Sequence, residues 1–295
     1  MSIGAKVASR PAAPEAARVA LSGELGPKEF AAIAAIMQSD ARIHLAESKA
    51  TLVHSRLSRR LRDNGVSSFK DYVKLVQSNA EERAAMVVAL TTNHTHFFRE
   101  NHHFDHLRAT AMPWLKAHAE QRPIRIWSAG CSSGEEVYSI AMCLRGEDRS
   151  TAAWLDRADV KLLATDLSPK VVETARRGVY SASSVEPIPE AYRRAWLHPE
   201  GQNYAVADEV RAMVTARVLN LFGPWPMRQK YDVIFCRNVM IYFDDDAKAE
   251  LEARLVDMLA PGGYLYIGHS ERLIGVGATP MKPAGHTIYH KEARR

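Results

Sequence analysis

Short apolar runs alternating with helical segments predict an α/β fold: a mainly parallel sheet covered on both faces, preceded by an all-helical N-terminal domain and carrying a small β insertion. Three observations predict it. Residues 24–92 carry apolar residues at three- and four-residue spacing. From about Arg122, short strands and helices take turns along the chain. The stretch 181–214 breaks that rhythm and reads as the insertion.

Taken in order, residues 1–23 are rich in Ala, Pro and Ser and predict a disordered tail. FAAIAAIM, ATLVHSRLSRRL and SSFKDYVKLVQ follow as helices of a domain over 24–92. Gly65 and the serines after it mark a turn, with Ser67–Ser68 as N-cap and Asp71 in the first helical turn. The second domain, 93–295, opens its sheet with IRIWSA (Ile124–Ala129), which ends in a Gly/Ser turn before the helix EEVYSIAMCL. VKLLATD (Val160–Asp166) is the next strand. The helix SPKVVETARRG has Ser168 as N-cap, Pro169 at its first position and Gly178 just past its end. ARVLNL (Ala216–Leu221), YDVIFC (Tyr231–Cys236) and GGYLYIGH (Gly262–His269) are further strands. The helix DDAKAELEARLVDML lies between the last two and is closed by Pro261–Gly262; HTIYHK is the final strand.

Composition narrows the class. The chain has 295 residues, 46% of them hydrophobic and 25% charged, which is ordinary for a globular protein. The longest apolar stretch, Ala31–Met37, is far short of the roughly 20 residues a spanning helix needs, and no apolar block of signal-peptide type opens the chain. Membrane insertion is not expected. Three cysteines without a CxxC pair suit a reducing, cytoplasmic setting. The net charge of +5 alone decides nothing about partners.

Ligands of such sheets bind beyond the carboxyl ends of the strands. There the first strand gives AGCSSGEE, a small-residue turn with Gly130 and Gly134 that lets backbone approach a ligand. The second ends in Asp166, placed to accept both hydroxyls of a ribose. The turn lacks GxGxxG and carries Glu135 and Glu136, which would repel a pyrophosphate but not a sulfonium with an amino group. That favours S-adenosylmethionine over NAD or ATP. Two plainer readings stay open: the glutamates could serve only the helix dipole, and Asp166 could be a capping group.

Together these segments resemble the CheR family of chemotaxis receptor methyltransferases. The matching stretches are TTNHTHFFRE (Thr91–Glu100), HHF (His102–Phe104), WSAGCSSGEEVYSIAM (Trp127–Met142), ATDLS (Ala164–Ser168), LNL (Leu219–Leu221), FCRNVMIYF (Phe235–Phe243) and GHSE (Gly268–Glu271), in the family's order over about 200 residues. The helical N-terminal region with its RLSRRLR also fits the family's small domain. The resemblance implies a Rossmann-like class I methyltransferase sheet beside a helical domain. It implies cofactor contacts from Asn93, Thr95, Arg99, Glu136 and Asp166, with Asn220, Leu221, Arg237 and Asn238 completing the pocket. Arg99 and Tyr242 match positions lining the family's methyl-transfer site. One departure stands out. The family's best-known members grip a C-terminal receptor peptide with a Gly-rich loop, but LHPEGQNYAVADEVRAM (Leu197–Met213) is shorter and lacks a GxGxxxG run. Docking directly on the receptor's methylation helices is therefore expected, without a tether.

The implied reaction esterifies a receptor glutamate, leaving S-adenosylhomocysteine. A carboxylate with pKa near ~4.3 is already ionised at neutral pH, so no general base is required. Arg99 and Tyr242 are assigned as orienting donors, because tight ion pairing would blunt the nucleophile. Receptor helices are expected to be acidic, and Arg56, Arg59 and Arg60, sharing one helix face near Lys49 and Arg62, are the expected docking residues. The cluster His94, His96, His102, His103 and His106 lacks HExxH or Cys/His spacing, so no metal is expected. Cys131 has no obvious partner base. Two rivals remain. A nucleic-acid methyltransferase would want an Asn/Asp-Pro-Pro-aromatic turn where Cys236-Arg237-Asn238-Val239 stands. A non-catalytic cofactor-binding scaffold is opposed, but not excluded, by Arg99 and Tyr242.

Overall fold

A computed structural model describes residues 23–292, so the tail expected over 1–23 lies, save Gly23, outside the described residues. The chain divides into two compact units. One runs up to Ile33 and resumes at Ala46–Leu90; the other comprises Ala34–Leu45 and everything from Thr91.

The first unit is helical. It holds the start of α1 (Pro27–Ala41), then α2 (Ala50–Asp63), α3 (Phe69–Ser78) and α4 (Ala80–Leu90). Val53, Leu57 and Leu61 recur at helical spacing and are fully buried on α2. Ser68 caps α3 as expected, its hydroxyl oxygen accepting the Asp71 N–H at 3.2 Å. The buried carboxylate of Glu82 is held by the Arg60 guanidinium, which bonds both of its oxygens, and by the Tyr72 hydroxyl at 2.6 Å. These three side chains pin α2, α3 and α4 together.

Beyond Thr91 the second unit continues with α5 (Asn101–His106) and α6 (Met112–Ala119), joined by a π-helical turn at Leu107–Ala111. Pro113 lies in the first turn of α6; lacking an N–H, it cannot continue the i→i−4 ladder, which gives the turn its cause. Then come β1 (Ile124–Ala129), α7 (Glu135–Arg145), β2 (Val160–Asp166), α8 (Pro169–Arg177) and the insertion: β3 (Val179–Ser181), α9 (Ala182–Val185), α10 (Glu190–Trp196), β4 (Leu197–Glu200), β5 (Asn203–Val206) and α11 (Asp208–Arg211). The chain finishes with β6 (Val214–Val218), β7 (Tyr231–Cys236), α12 (Asp245–Met258), β8 (Leu259–Ile267), β9 (Met281–Gly285) and β10 (Ile288–Lys291).

The main sheet has the order β6-β2-β1-β7-β8-β10-β9, parallel through β8 and antiparallel beyond. Alternation of side chains fills both faces. Ile124 and Ile126 of β1 join Val233 and Phe235 of β7 in one core, while Trp127, Ala129, Ile234 and Cys236 join the other, under α12. The strand order reverses at β1, between β2 and β7, so the loops leaving these strands diverge and open a crevice. The insertion forms a separate antiparallel sheet, β3-β5-β4.

Four expectations shift. The strand expected over Ala216–Leu221 is β6, Val214–Val218; the Leu219 N–H makes the last rung of its ladder, to the Asp166 carbonyl, and the strand ends there. The strand expected from Gly262 starts at Leu259 directly out of α12; Pro261–Gly262 does not stop the helix but sits in a bulge, with Gly262 at φ +79°. Ser168 stands at the N-cap of α8, but its hydroxyl makes no cap bond. The final strand begins at Ile288 rather than His286 and has a partner, β9, that the pattern did not reveal.

Candidate active site

At the end of β1 the chain reverses on Gly130 (φ +78°), whose N–H joins that of Cys131 on the Thr165 carbonyl, 2.8 Å each. A Cβ on Gly130 would lie 2.4 Å from Val239 Cγ2, so the β1 turn is pressed against the turn after β7. Gly134 (φ +101°) heads α7, and a Cβ there would meet Ala175 and Tyr180 at 2.8 Å. Only glycine fits both places.

Three carboxylates are buried around this turn. Asp166 accepts the Ser132 N–H on Oδ2 and the Ser168 N–H on Oδ1, both at 2.9 Å. It thus fixes the β1 turn and the start of α8 at once, and each oxygen keeps acceptor capacity for a further donor. Burial pushes its pKa up, against the opposing backbone N–H groups. Glu135 takes the Ser133 hydroxyl at 2.7–2.9 Å and is likewise pushed up by burial. Glu136 accepts the Ser128 hydroxyl on Oε1 at 2.7 Å and Arg237 Nε on Oε2 at 2.7 Å.

Arg237 is buried where β7 ends, beside the stacked rings of Phe104 and Phe235. Its Nη1 donates to the Arg99 carbonyl at 2.5 Å and to His103 Nδ1 at 3.0 Å. That makes His103 Nδ1 the acceptor, and Nε2–H then donates to Thr287 Oγ1 at 2.9 Å. Burial, then the Arg237 charge, drive the His103 pKa down to about 3, in keeping with a neutral ring. Glu100 (φ +59°) completes the group. Burial raises its pKa, but Arg237 and His269 outweigh that and hold it low. Its Oε1 meets His269 Nδ1 at 3.0 Å and Asn238 Nδ2 at 3.3 Å, while Oε2 lies 3.7 Å from Arg237 Nη1 without a hydrogen bond. Glu100, His102 and His103 bring ligand atoms within 4.8 Å of one another. Arg237 already occupies His103 Nδ1, and a second cation beside it is disfavoured.

The loop after β7 is fixed by a residue to which the sequence reading gave no role. Buried Glu271 accepts the N–H of Asn238 (3.0 Å) and of Gly268 (2.6 Å) on Oε2, and that of Ile241 (3.2 Å) on Oε1. Asn238 is thereby kept at φ +58°, and Gly268 passes so close that a Cβ would touch its backbone N at 2.6 Å. Glu271 lies in the matched GHSE stretch, which was the available signal. Tyr242, half-buried on the same loop, has a carbonyl that accepts the His44 N–H at 3.0 Å, and its hydroxyl has no partner among the described residues.

The remaining expected residues are placed as follows. The Asn93 carbonyl accepts the Ser132 hydroxyl at 2.8 Å, so the 93–99 stretch adjoins the β1 turn. Thr95 is half-buried on it. The Arg99 side chain, one-quarter exposed, donates to the His94 carbonyl at 3.2 Å. Asn220 is engaged at both ends: Nδ2 donates to the Asp40 carbonyl at 2.8 Å and Oδ1 accepts the Phe222 N–H at 2.9 Å. Leu221 packs into the core under α12. Within the helical unit, Arg59 is 82% exposed with a loose pair to Asp63 at 3.7 Å, and Arg56 donates to the Leu90 carbonyl at 2.8 Å. Arg60, grouped with them by spacing, is instead committed to Glu82.

The donor set fits a cationic nucleoside cofactor. Glu135, Glu136 and Asp166 are set against the buried guanidinium of Arg237, around a glycine turn that leaves room for backbone approach.

Comparison with known proteins gives the same ligand. Residues 93–286 match the family model described as CheR methyltransferase, SAM binding domain, and residues 28–91 match CheR methyltransferase, all-alpha domain. A probable chemotaxis protein methyltransferase of Rhizobium etli is 43% identical over 86% of this chain and 96% of the relative. Chemotaxis protein methyltransferase 2 of Pseudomonas aeruginosa is 42% identical over 84% and 87%. The chemotaxis protein methyltransferase of Escherichia coli is 38% identical over 84% and 85%.

Proposed function

From the premise that the chain belongs to the CheR methyltransferase family, and is an S-adenosylmethionine-dependent methyltransferase, we propose that it methylates glutamate side chains of methyl-accepting chemotaxis receptors in the cytoplasm. The carrying observation is the group of buried carboxylates at the carboxyl ends of β1 and β2, joined by Arg237 and the Gly130–Val239 approach to the Glu271-fixed loop that bears Asn238 and Tyr242. When bound, the cofactor supplies an electrophilic methyl on a cationic sulfur. Asp166 accepts from the ribose hydroxyls with the lone pairs its backbone donors leave. Glu136, held by Arg237 and Ser128, supplies negative potential beside the cationic end. Asn93, Thr95, Asn220 and Leu221 line the remainder.

The receptor glutamate arrives ionised, so the protein's task is alignment and exclusion of water. The Tyr242 hydroxyl and the Arg99 guanidinium orient the carboxylate without taking its proton. Alignment of this kind supplies roughly 7–11 kcal/mol at best. Exposed Arg59, with Arg56 beside it, draws in the acidic helix. Arg60 is left out of that role by its bond to Glu82.

Docking does not require a tether peptide in this reading. β4 and β5 are joined by only Gly201 and Gln202, with Gly201 at φ +61°, and so short a turn offers no Gly-rich grip. The test is transfer of labelled methyl to purified receptor cytoplasmic domains with and without their C-terminal tails. Alkali-labile label at equal rates on both supports the reading. Alkali-stable label refutes the ester, and strict dependence on the tail refutes direct docking.

A further inference from the structure

β6 forms one edge of the main sheet, and α8 lies beside it. Between them is a cavity of about 170 Å³ lined by Tyr138, Ala175, Thr215, Arg176, Arg211 and Arg217. No residue assigned above to cofactor or substrate lines it.

The arginines are fixed in an arrangement that repulsion should oppose. Arg176 Nε (3.1 Å) and Arg217 Nη1 (2.9 Å) donate to the same oxygen, the Ala216 carbonyl. Two guanidinium groups are thereby held side by side on one acceptor. Arg211 is fixed separately, by the Arg177 carbonyl at 3.1 Å and by Asp208. Neutralisation is incomplete: Glu173 reaches Arg176 only at 3.5 Å, and Arg217 has no acidic partner among the described residues. The plain explanation, that cations favour the C-terminal end of a helix, covers Arg176 at the end of α8. It does not cover Arg217, which sits on a strand.

We infer that this cavity is an anion site taking a phosphate group, free or as a small monoester. Guanidinium forks pair with the oxygens of a tetrahedral oxyanion, and an anion between Arg176 and Arg217 relieves their mutual repulsion. The site stands apart from the methyl-transfer reading and survives its failure.

The test uses the full chain saturated with S-adenosylhomocysteine, which blocks the nucleoside site and reports an intact fold. Inorganic phosphate and glycerol 3-phosphate are titrated calorimetrically at constant ionic strength set with chloride. One saturable site is expected, weakened about tenfold or more in Arg217→Gln and in Arg176→Gln, since a charge-assisted hydrogen bond is lost in each. S-adenosylhomocysteine affinity stays unchanged in both variants. Tighter binding of the ester identifies a phosphate monoester as ligand; equal binding identifies free phosphate. Heat no greater than the chloride control, or parental phosphate affinity in both variants, overturns the inference.

Discussion

Arg237 Nε donates to Glu136 Oε2 at 2.7 Å, with both side chains buried and 101 residues apart in sequence. The bond ties the end of β7 to the first turn of α7. Removing one partner of such a pair strands the other charge, at a cost of about 3–5 kcal/mol. Arg237→Met is therefore expected to be strongly destabilised in urea, and Arg237→Met with Glu136→Gln markedly less so. A double-mutant cycle with additive losses would show that the two residues do not act as a pair.

Glu271→Ala leaves the N–H groups of Asn238, Gly268 and Ile241 without their acceptor. Each unsatisfied buried donor costs about 1–3 kcal/mol. The loop should loosen, lowering kcat more than the affinity for S-adenosylhomocysteine. Glu271→Gln, which keeps one acceptor oxygen, should fall between. Steady-state kinetics beside calorimetry on the product decide it; equal losses in both quantities would contradict a positioning role.

Tyr242→Phe removes an orienting hydroxyl that has no partner among the described residues. A fall in kcat of up to about a hundredfold is expected with cofactor affinity unchanged. Unaltered kcat would remove Tyr242 from the reaction.

His103 is neutral when folded, with a pKa near 3, but titrates at its ordinary value of 6.5 when unfolded. Between those values the unfolded chain binds more protons, so this residue's contribution to stability is complete above about 6.5 and declines as pH falls toward 3. His103→Asn should flatten the stability–pH curve by up to ~1.4 kcal/mol per pH unit in that window. Urea titrations from pH 4 to about pH 7 measure it.

Asp166 and Glu135 behave in the opposite sense. Burial raises both, so they take up protons above the ordinary carboxylate range. Affinity for cationic S-adenosylmethionine should fall on acidification earlier, and more steeply, than affinity for neutral-sulfur S-adenosylhomocysteine. Glu135→Gln should remove most of that difference, whereas Asp166→Asn, on the ribose, should weaken both ligands alike. Paired calorimetric titrations across pH 4–7 test it; parallel curves for the two ligands would count against a carboxylate-lined pocket.

The sheet was most legible where burial is continuous. β7, Tyr231–Cys236, is buried at every position, and a bounded run of that kind marks a strand at both ends. β9 was invisible because it contains Pro283 and only Met281 is buried, so its sequence carries no alternation. The bulge depends on Gly262 passing Trp114 and Gly263 passing the Asp232 carbonyl, where a Cβ would lie at 3.2 and 2.7 Å, a tertiary matter. In the site, residue types and positions could be listed from motifs, but their pairings could not. That Arg237 spends its donors on Glu136, Arg99 and His103, or that Arg60 is committed to Glu82, follows from distances between segments that spacing along the chain does not encode.

The last turns of α1 belong to the larger unit. Asp40 receives Asn220, Gln38 Nε2 donates to Asp244 Oδ2 at 2.6 Å, and the segment just beyond supplies the His44 N–H to Tyr242. Anyone trimming this protein to a minimal catalytic piece should therefore not cut at Thr91. Such a fragment would discard a clasp of a dozen residues encoded far upstream, and the loops after β6 and β7 would lose the scaffolding that holds them still.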